Sequence, residues 1–151
     1  MFKRILVPLD GSLLAEAALA QAFELAQKFG GDVVLLRAVP PDELEFSSGL
    51  YALSRVWEQQ EQQAARTYLQ QVRAACCSTG VPVRIEVALG AAPAAIIAAG
   101  DALAVSLIAM STHGRSGLGR LLYGSVAEAV VRAAKVPVLF VPVRSLASDK
   151  P

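Results

Sequence analysis

A chain of 151 residues has the length of one domain, at roughly 100–200 residues per domain, and its 54% hydrophobic and 18% charged residues exclude a disordered chain. Lys+Arg 14 against Asp+Glu 13 leaves a formal net charge of +1, without the basic excess that holds a phosphate backbone, so nucleic acid is not expected as a partner. Every long apolar stretch meets Pro, Gly or a charge before the ~20 residues of a spanning helix, and Met1 to Pro8 carries neither an apolar leader core nor a small-residue cleavage site. No membrane segment and a cytoplasmic location are therefore expected.

The first strand is predicted over Phe2 to Pro8, and it runs out into Leu9-Asp10-Gly11-Ser12. Asp10 at that position can bond a ribose hydroxyl, an adenine amine or a metal, or it can help cap the following helix; the residues alone leave both readings open. Ser12 is a good N-cap for a first helix whose apolar face runs through Ala17-Ala18-Leu19, Ala22, Leu25-Ala26 and Phe29 to a stop at Gly30-Gly31. A second strand covers Val33 to Val39. Pro40 to Leu53 has no periodicity, and with Asp42, Glu43 and Glu45 it reads as a lid or as a solvated loop.

The second helix is predicted over Ser54 to Thr79, with Trp57, Ala64-Ala65, Tyr68-Leu69, Val72 and Cys76 repeating on one face and Gly80 ending it. Cys76 and Cys77 are adjacent, so a disulfide between them would be strained, and neither has metal-ligand spacing to His113, the single histidine. They read as helix-packing residues in a reduced compartment. A third strand over Pro82 to Leu89 leads to a helix from Pro93 to about Leu103. A fourth strand covers Leu107 to Ser111; after the aperiodic Thr112 to Tyr123 come a fourth helix over Ser125 to Lys135 and a last strand over Pro137 to Val143.

Strict alternation of strands with helices, and three strands that are nearly continuous Ile, Leu and Val, predict an α/β fold. The expected form is a single-domain, open, five-stranded, mostly parallel sheet with helices on both faces. Ligands of such sheets sit at the strand carboxyl ends. The fourth strand end, Met110 through Arg120, holds three glycines, two arginines, three hydroxyl residues and no acid. Glycines admit backbone N–H groups to phosphate oxygens, and Arg115 and Arg120 can add charge-assisted bonds. Gly124-Ser125 then opens a helix whose N-terminus suits an anion. The plainer readings are a flexible turn, and a capping box Ser125-Val126-Ala127-Glu128 that satisfies only its own helix.

Val7-Pro8-Leu9-Asp10-Gly11-Ser12, with Met110-Ser111-Thr112-His113-Gly114 and Gly124-Ser125-Val126-Ala127, resembles the universal stress protein family of the UspA type over nearly the whole chain. Its nucleotide-binding branch carries Gly-x2-Gly-x9-Gly-[Ser/Thr]; here the register is Ser111-x2-Gly114-x9-Gly124-Ser125, so the first motif glycine is a serine. The resemblance implies a Rossmann-like fold of the adenine nucleotide alpha-hydrolase type, with residues 1–145 as the family domain and 146–151 as a short polar tail.

The ligand that the resemblance implies is ATP or a related adenine nucleotide, with Mg2+ as its companion ion. Pro8, Leu9 and Asp10 would flank the nucleoside, and Ala38 and Val39 would contact adenine. Met110, Ser111, Gly114 and Arg115, followed by Gly124, Ser125 and Val126, would face ribose and phosphates. Arg37 and Pro40-Pro41 depart from the polar residues common at the second strand end. The resemblance also implies a homodimer paired through the edge strand Val138 to Val143, against which stands ordinary edge protection by Pro142.

Three functions are open at this stage. The first is a stress-response module whose nucleotide occupancy is read by a protein partner. The second is a nucleotide-independent dimeric scaffold, which Ser111 favours. The third is a slow ATP hydrolase, for which no Gly-x4-Gly-Lys-[Ser/Thr] loop, second acid beside Asp10 or nucleophile-base-acid set is present. Dinucleotide-binding and phosphoacceptor domains are excluded: the first strand end lacks Gly-x-Gly-x-x-Gly and an acidic pair, and Val87-Ala88-Leu89-Gly90 holds no aspartate.

Overall fold

The computed structural model describes residues 1–41, 51–114 and 124–144. The elements run β1 (Arg4–Pro8), α1 (Leu13–Glu16), α2 (Leu19–Phe29), β2 (Asp32–Val39), α3 (Tyr51–Ala75), β3 (Val83–Leu89), α4 (Ala92–Ala102), β4 (Leu107–Gly114), α5 (Ser125–Ala133) and β5 (Val138–Arg144). The strands form one sheet in the order β3-β2-β1-β4-β5. All four pairings are parallel, which sharpens the expectation of a mostly parallel sheet.

Side chains alternate across the sheet, so each central strand feeds two apolar layers. Ile5, Val7, Val33 and Leu35 meet Ala22, Phe23 and Ala26 of α2 and Leu69 and Val72 of α3 on one face. Leu6, Val34 and Leu36 meet Ile96 of α4 and Ala127 and Val130 of α5 on the other. Ile5, Leu6, Leu35, Leu36 and Leu69 are fully buried, and each is worth ~1.5–3 kcal/mol of transfer free energy. This two-sided burial explains why the strands read as unbroken aliphatic runs.

The amino ends of the strands are tied by charge. Arg4 donates from Nε and Nη2 to Asp32 at 2.9 and 3.0 Å and from Nη1 to the Leu103 carbonyl at 2.9 Å, while Arg84 Nε lies 3.3 Å from the same aspartate. Gly30 ends α2 in the left-handed region at φ 61°. Gly31 then passes so close to β1 that a Cβ would stand 2.7 Å from both the Lys3 and Phe2 carbonyl oxygens. The carboxyl ends are left for the site. The chain builds outward from β1 to β3 and then returns to the other side of β1 as β4, so the order reverses at the β1/β4 boundary, where α/β sheets open a crevice.

Several predicted boundaries move. The first helix is interrupted: Ala17 and Ala18 N–H bond to Leu14 and Ala15, three residues back, before α2 resumes. The second helix begins at Tyr51 and ends at Ala75, so Cys76 and Cys77 lie in the turn that follows, Cys76 half-buried and Cys77 exposed. Its Ala65, Leu69 and Val72 are buried as expected, but Trp57 is 38% exposed. The cause is length: 25 helical residues span roughly 37 Å, whereas the eight of β2 span roughly 26 Å. The proposed lid and the arginine-bearing loop lie mostly outside the described residues. Among the described residues, no helix is long and apolar enough to cross a membrane.

Candidate functional site

The first strand delivers Pro8, buried Leu9 and exposed Asp10 to the crevice; the Leu9 N–H donates to the Leu36 carbonyl at 2.8 Å and holds the strand end in register with β2. Asp10 does not cap α1. That role falls to Ser12, whose Oγ accepts from the Ala15 N–H at 3.2 Å, while Ser12 donates to Asp10 Oδ1 from its amide at 2.9 Å and from its hydroxyl at 2.5 Å. Burial pushes the Asp10 carboxyl up, but the two Ser12 bonds and the nearby Arg37 charge outweigh it and hold the group below its ordinary value. Asp10 is thus an ionised acceptor exposed at the crevice.

Across the crevice, β4 brings Met110, Ser111 and buried Thr112 to the same level, and α5 opens beside them. The N-cap is Gly124, with φ −55° and ψ 157°, and it has no side chain with which to cap the helix. This corrects the capping-box reading. Ser125 is already the first helical residue, and Glu128 is engaged with Arg132 at 2.6 Å instead of reaching back. The first-turn amides of α5 therefore keep their affinity for an anion.

These elements enclose a cavity of about 270 Å3 lined by Pro8, Leu9, Asp10, Leu14, Ala15, Leu36, Arg37, Ala38, Ala92, Ile96, Met110, Ser111, Thr112, Gly124, Val126 and Ala127. Eight of the twelve residues named from the sequence line it: Pro8, Leu9, Asp10, Ala38, Met110, Ser111, Gly124 and Val126. Val39 does not, because alternation turns it away; it lines a neighbouring cavity of about 200 Å3 with Gly11, Arg37, Pro40, Glu61 and Tyr68. Ser125 stands exposed at the start of α5, outside both linings, and Gly114 ends β4 in register with Arg144. Arg115 lies outside the described residues.

The sequence alone did not point to Ala92 and Ile96, which enter because α4 starts at the same sheet edge and which carry no polar group to mark them. It also placed Arg37 only as a departure. Arg37 is a lining residue of both cavities, its guanidinium packs over the Tyr68 ring at 5.7 Å, and its Nη1 is buried with no hydrogen-bond partner among the described residues. Tyr68 is fixed in turn by its hydroxyl, which donates to Glu16 Oε1 at 2.8 Å; burial and that carboxylate push its pKa far up, so it stays neutral. Among the described residues, Asp10 is the one acidic side chain of the larger cavity, and no group of three or more His, Cys, Asp or Glu is placed to hold a metal.

A family model described as "Universal stress protein family" matches residues 1–142. Universal stress protein MJ0531 of Methanocaldococcus jannaschii is 31% identical over 93% of this chain and 82% of its own length. A universal stress protein of Thermus aquaticus, encoded in the QAH/OAS sulfhydrylase 3' region, is 36% identical over 93% of this chain and 99% of its own. Among solved structures, MJ0577 superposes with a TM-score of 0.77 at 24% identity, covering 96% of this chain and 99% of that one. Two further neighbours of the same fold are a universal stress protein in complex with cAMP and one from Archaeoglobus fulgidus in complex with dAMP. Their TM-scores are 0.70 and 0.59 at 23% and 19% identity, over 92% and 93% of this chain and 96% and 98% of theirs.

Proposed function

This chain belongs to the universal stress protein family, and from that premise we propose that it binds ATP or a related adenine nucleotide in the β1/β4 crevice and acts in the cytoplasm as a stress-response module whose occupancy a protein partner reads. The observation that carries this reading is the convergence of the α5 N-terminus, whose N-cap is a glycine with no side chain to cap it, with the small residue Ser111 on the lining of one cavity. A phosphate bound there gains the first-turn amides and the positive end of the helix dipole. Pro8, Leu36, Ala38 and Ile96 supply the apolar lining against which a purine ring can pack. The cAMP and dAMP complexes of two relatives lend support to an adenine nucleotide as the ligand class.

Ribose falls between phosphate and base, beside Asp10. A magnesium ion accompanying ATP would take Asp10 as its one carboxylate and draw its remaining ligands from phosphate oxygens and water. Residues 1–145 form the family domain in this account. The edge position of β5 supports pairing of Val138 to Val143 with the same strand of a second copy, which would cover the open ladder.

A second reading, a nucleotide-independent dimeric scaffold, is favoured by Ser111, whose Cβ and hydroxyl stand where the motif has glycine. Calorimetric titration of the nucleotide-stripped chain with ATP and magnesium, with AMP and GTP as comparisons, separates the two. Micromolar binding of ATP, weaker for AMP and GTP, supports the nucleotide reading. No heat at millimolar ATP refutes it, and a gain of binding on Ser111→Gly then identifies the serine as the block.

A further inference from the structure

In the order β3-β2-β1-β4-β5, β3 has β2 on one flank and, among the described residues, no strand on the other. The Val33 N–H donates to the Pro82 carbonyl at 2.9 Å, and the Gly90 N–H donates to the Val39 carbonyl at 2.9 Å. Successive residues of a parallel strand turn their backbone groups to alternate sides, so the even-numbered residues from Pro82 to Gly90 engage β2. Val83, Ile85, Val87 and Leu89 turn theirs outward, as an open row of donors and acceptors.

The side chains alternate as well. Val83, Ile85 and Val87 pack toward the layer of α2 and α3, yet they remain only half-buried at this edge. Arg84 and Glu86 point to the opposite face and are exposed. The Arg84 side chain keeps 56% exposure, and its Nε lies 3.3 Å from Asp32, an aspartate that Arg4 already holds by hydrogen bonds. Glu86 has no ion pair among the described residues. Edge strands that resist pairing usually do so with lysine, proline or a bulge. Val83–Leu89 contains no lysine or proline, and its register with β2 is unbroken. Instead, two opposite charges stand symmetrically about Ile85.

We propose that β3 is a self-association edge, pairing antiparallel with β3 of a second copy of this chain about a two-fold axis through Ile85. The outward rows then meet each other: Ile85 lies opposite the partner's Ile85, and Val83 lies opposite the partner's Val87. These facing pairs exchange about six ladder bonds in all. On the other face Arg84 lies opposite the partner's Glu86, once in each direction. An axis through residue 84 would oppose two arginines, and one through residue 86 two glutamates, so charge selects the register. This edge is the far side of the sheet from β5, and the proposal does not depend on the pairing suggested there. A chain that uses both edges does not close at the dimer, because each copy keeps one edge to extend the sheet.

The test is sedimentation equilibrium of the unsubstituted chain, Glu86→Arg, Arg84→Glu and an equal mixture of the two variants, with folding checked by thermal unfolding. The mass of the unsubstituted chain is expected to rise with concentration. Either substitution sets like charges opposite one another at both pairs and is expected to weaken that association about tenfold or more. The mixture sets arginines of one chain against glutamates of the other and is expected to restore it, as is the exchange Arg84→Glu with Glu86→Arg in one chain. Arg84 faces Asp32, so if Arg84→Glu unfolds, Ile85→Cys in a chain carrying Cys76→Ser and Cys77→Ser replaces the mixture. Its thiol is expected to cross-link to that of a second copy, the Cα atoms of such a facing pair standing about 5.5 Å apart. A monomer at every concentration, a mass that neither substitution lowers, a mixture no more associated than either variant alone, or an Ile85→Cys chain that does not cross-link overturns the proposal. Association through β5 alone gives the second of these results, a dimer that Glu86→Arg leaves intact.

Discussion

Gly124→Asp separates folding from binding at a single position. Among the described residues a Cβ at residue 124 meets nothing within 4 Å, and the backbone there, φ −55° and ψ 157°, suits any residue, so the substitution carries no steric cost against them. As N-cap of α5, aspartate improves on glycine by a few tenths of a kcal/mol and gains ~0.3–1 kcal/mol from the helix dipole. For a chain of this length that raises the unfolding midpoint by about 1–4 °C. The same carboxylate faces any phosphate at the cradle. At about 5 Å, and an effective dielectric of about 20–80, one such pair costs about 1–3 kcal/mol, a roughly five- to 150-fold loss of affinity. Differential scanning fluorimetry and ATP titration of the two proteins give both numbers. A variant that is stabilised and binds ATP with undiminished affinity would refute the placement of phosphate at this helix end, and no appeal to misfolding could rescue it.

Further outcomes concern the scaffold and the titrating groups. Gly31→Ala drives a Cβ to 2.7 Å from two backbone carbonyls of β1, which cannot give as a side-chain end can; a loss of about 1–3 kcal/mol in denaturant unfolding is expected, and an unchanged midpoint would show that β1 shifts freely. The Asp10 carboxyl is held below its ordinary value, so its contribution to stability is full above about pH 4 and is lost as pH falls through the folded value. The stability difference between the parent chain and Asp10→Asn should accordingly stay constant from pH 7 to 5 and shrink toward pH 3; growth of the difference on acidification would contradict the sign. Burial, with Glu16 and Cys77 nearby, pushes the half-buried Cys76 thiol up, whereas Cys77 is exposed. One equivalent of iodoacetamide at neutral pH should label Cys77 first, located by fragmentation of the shared peptide, and first labelling at Cys76 would reverse the assignment.

The alternation of aliphatic strands with amphipathic helices carried the fold class, because burial on both faces of a parallel sheet forces unbroken runs such as Val33 to Leu36. Strand order was less legible. Nothing in the alternation itself places β1 between β2 and β4, yet that placement opens the crevice. The break at Ala17-Ala18 has no breaker residue to announce it, since only a shift of the hydrogen bonds to three-residue spacing marks it. At the site, residues at the ends of β1 and β4 were readable because strand ends, small residues and a helix start coincide there. Val39, one step of the pleat from Ala38, lines the smaller cavity, an alternation that the strand pattern alone does not tie to either site. Ser125 was taken for a possible cap because its spacing to Glu128 fits one, but Arg132 one turn on claims that glutamate. Arg37 looked out of place in an apolar strand, and only the geometry reveals its ring partner and its unspent donor.

The central claim, a nucleotide held across the β1/β4 crevice, is tested most directly by amide chemical-shift mapping of the labelled chain during titration with ATP and magnesium. Saturable shifts concentrated at Leu9, Asp10, Ala38, Ser111, Gly124 and Val126, with the opposite sheet end around Arg4, Asp32 and Leu103 unmoved, are the expected result. Shifts confined to that opposite end or to the outer strand Val83–Leu89, or no saturable shifts at all, would contradict it.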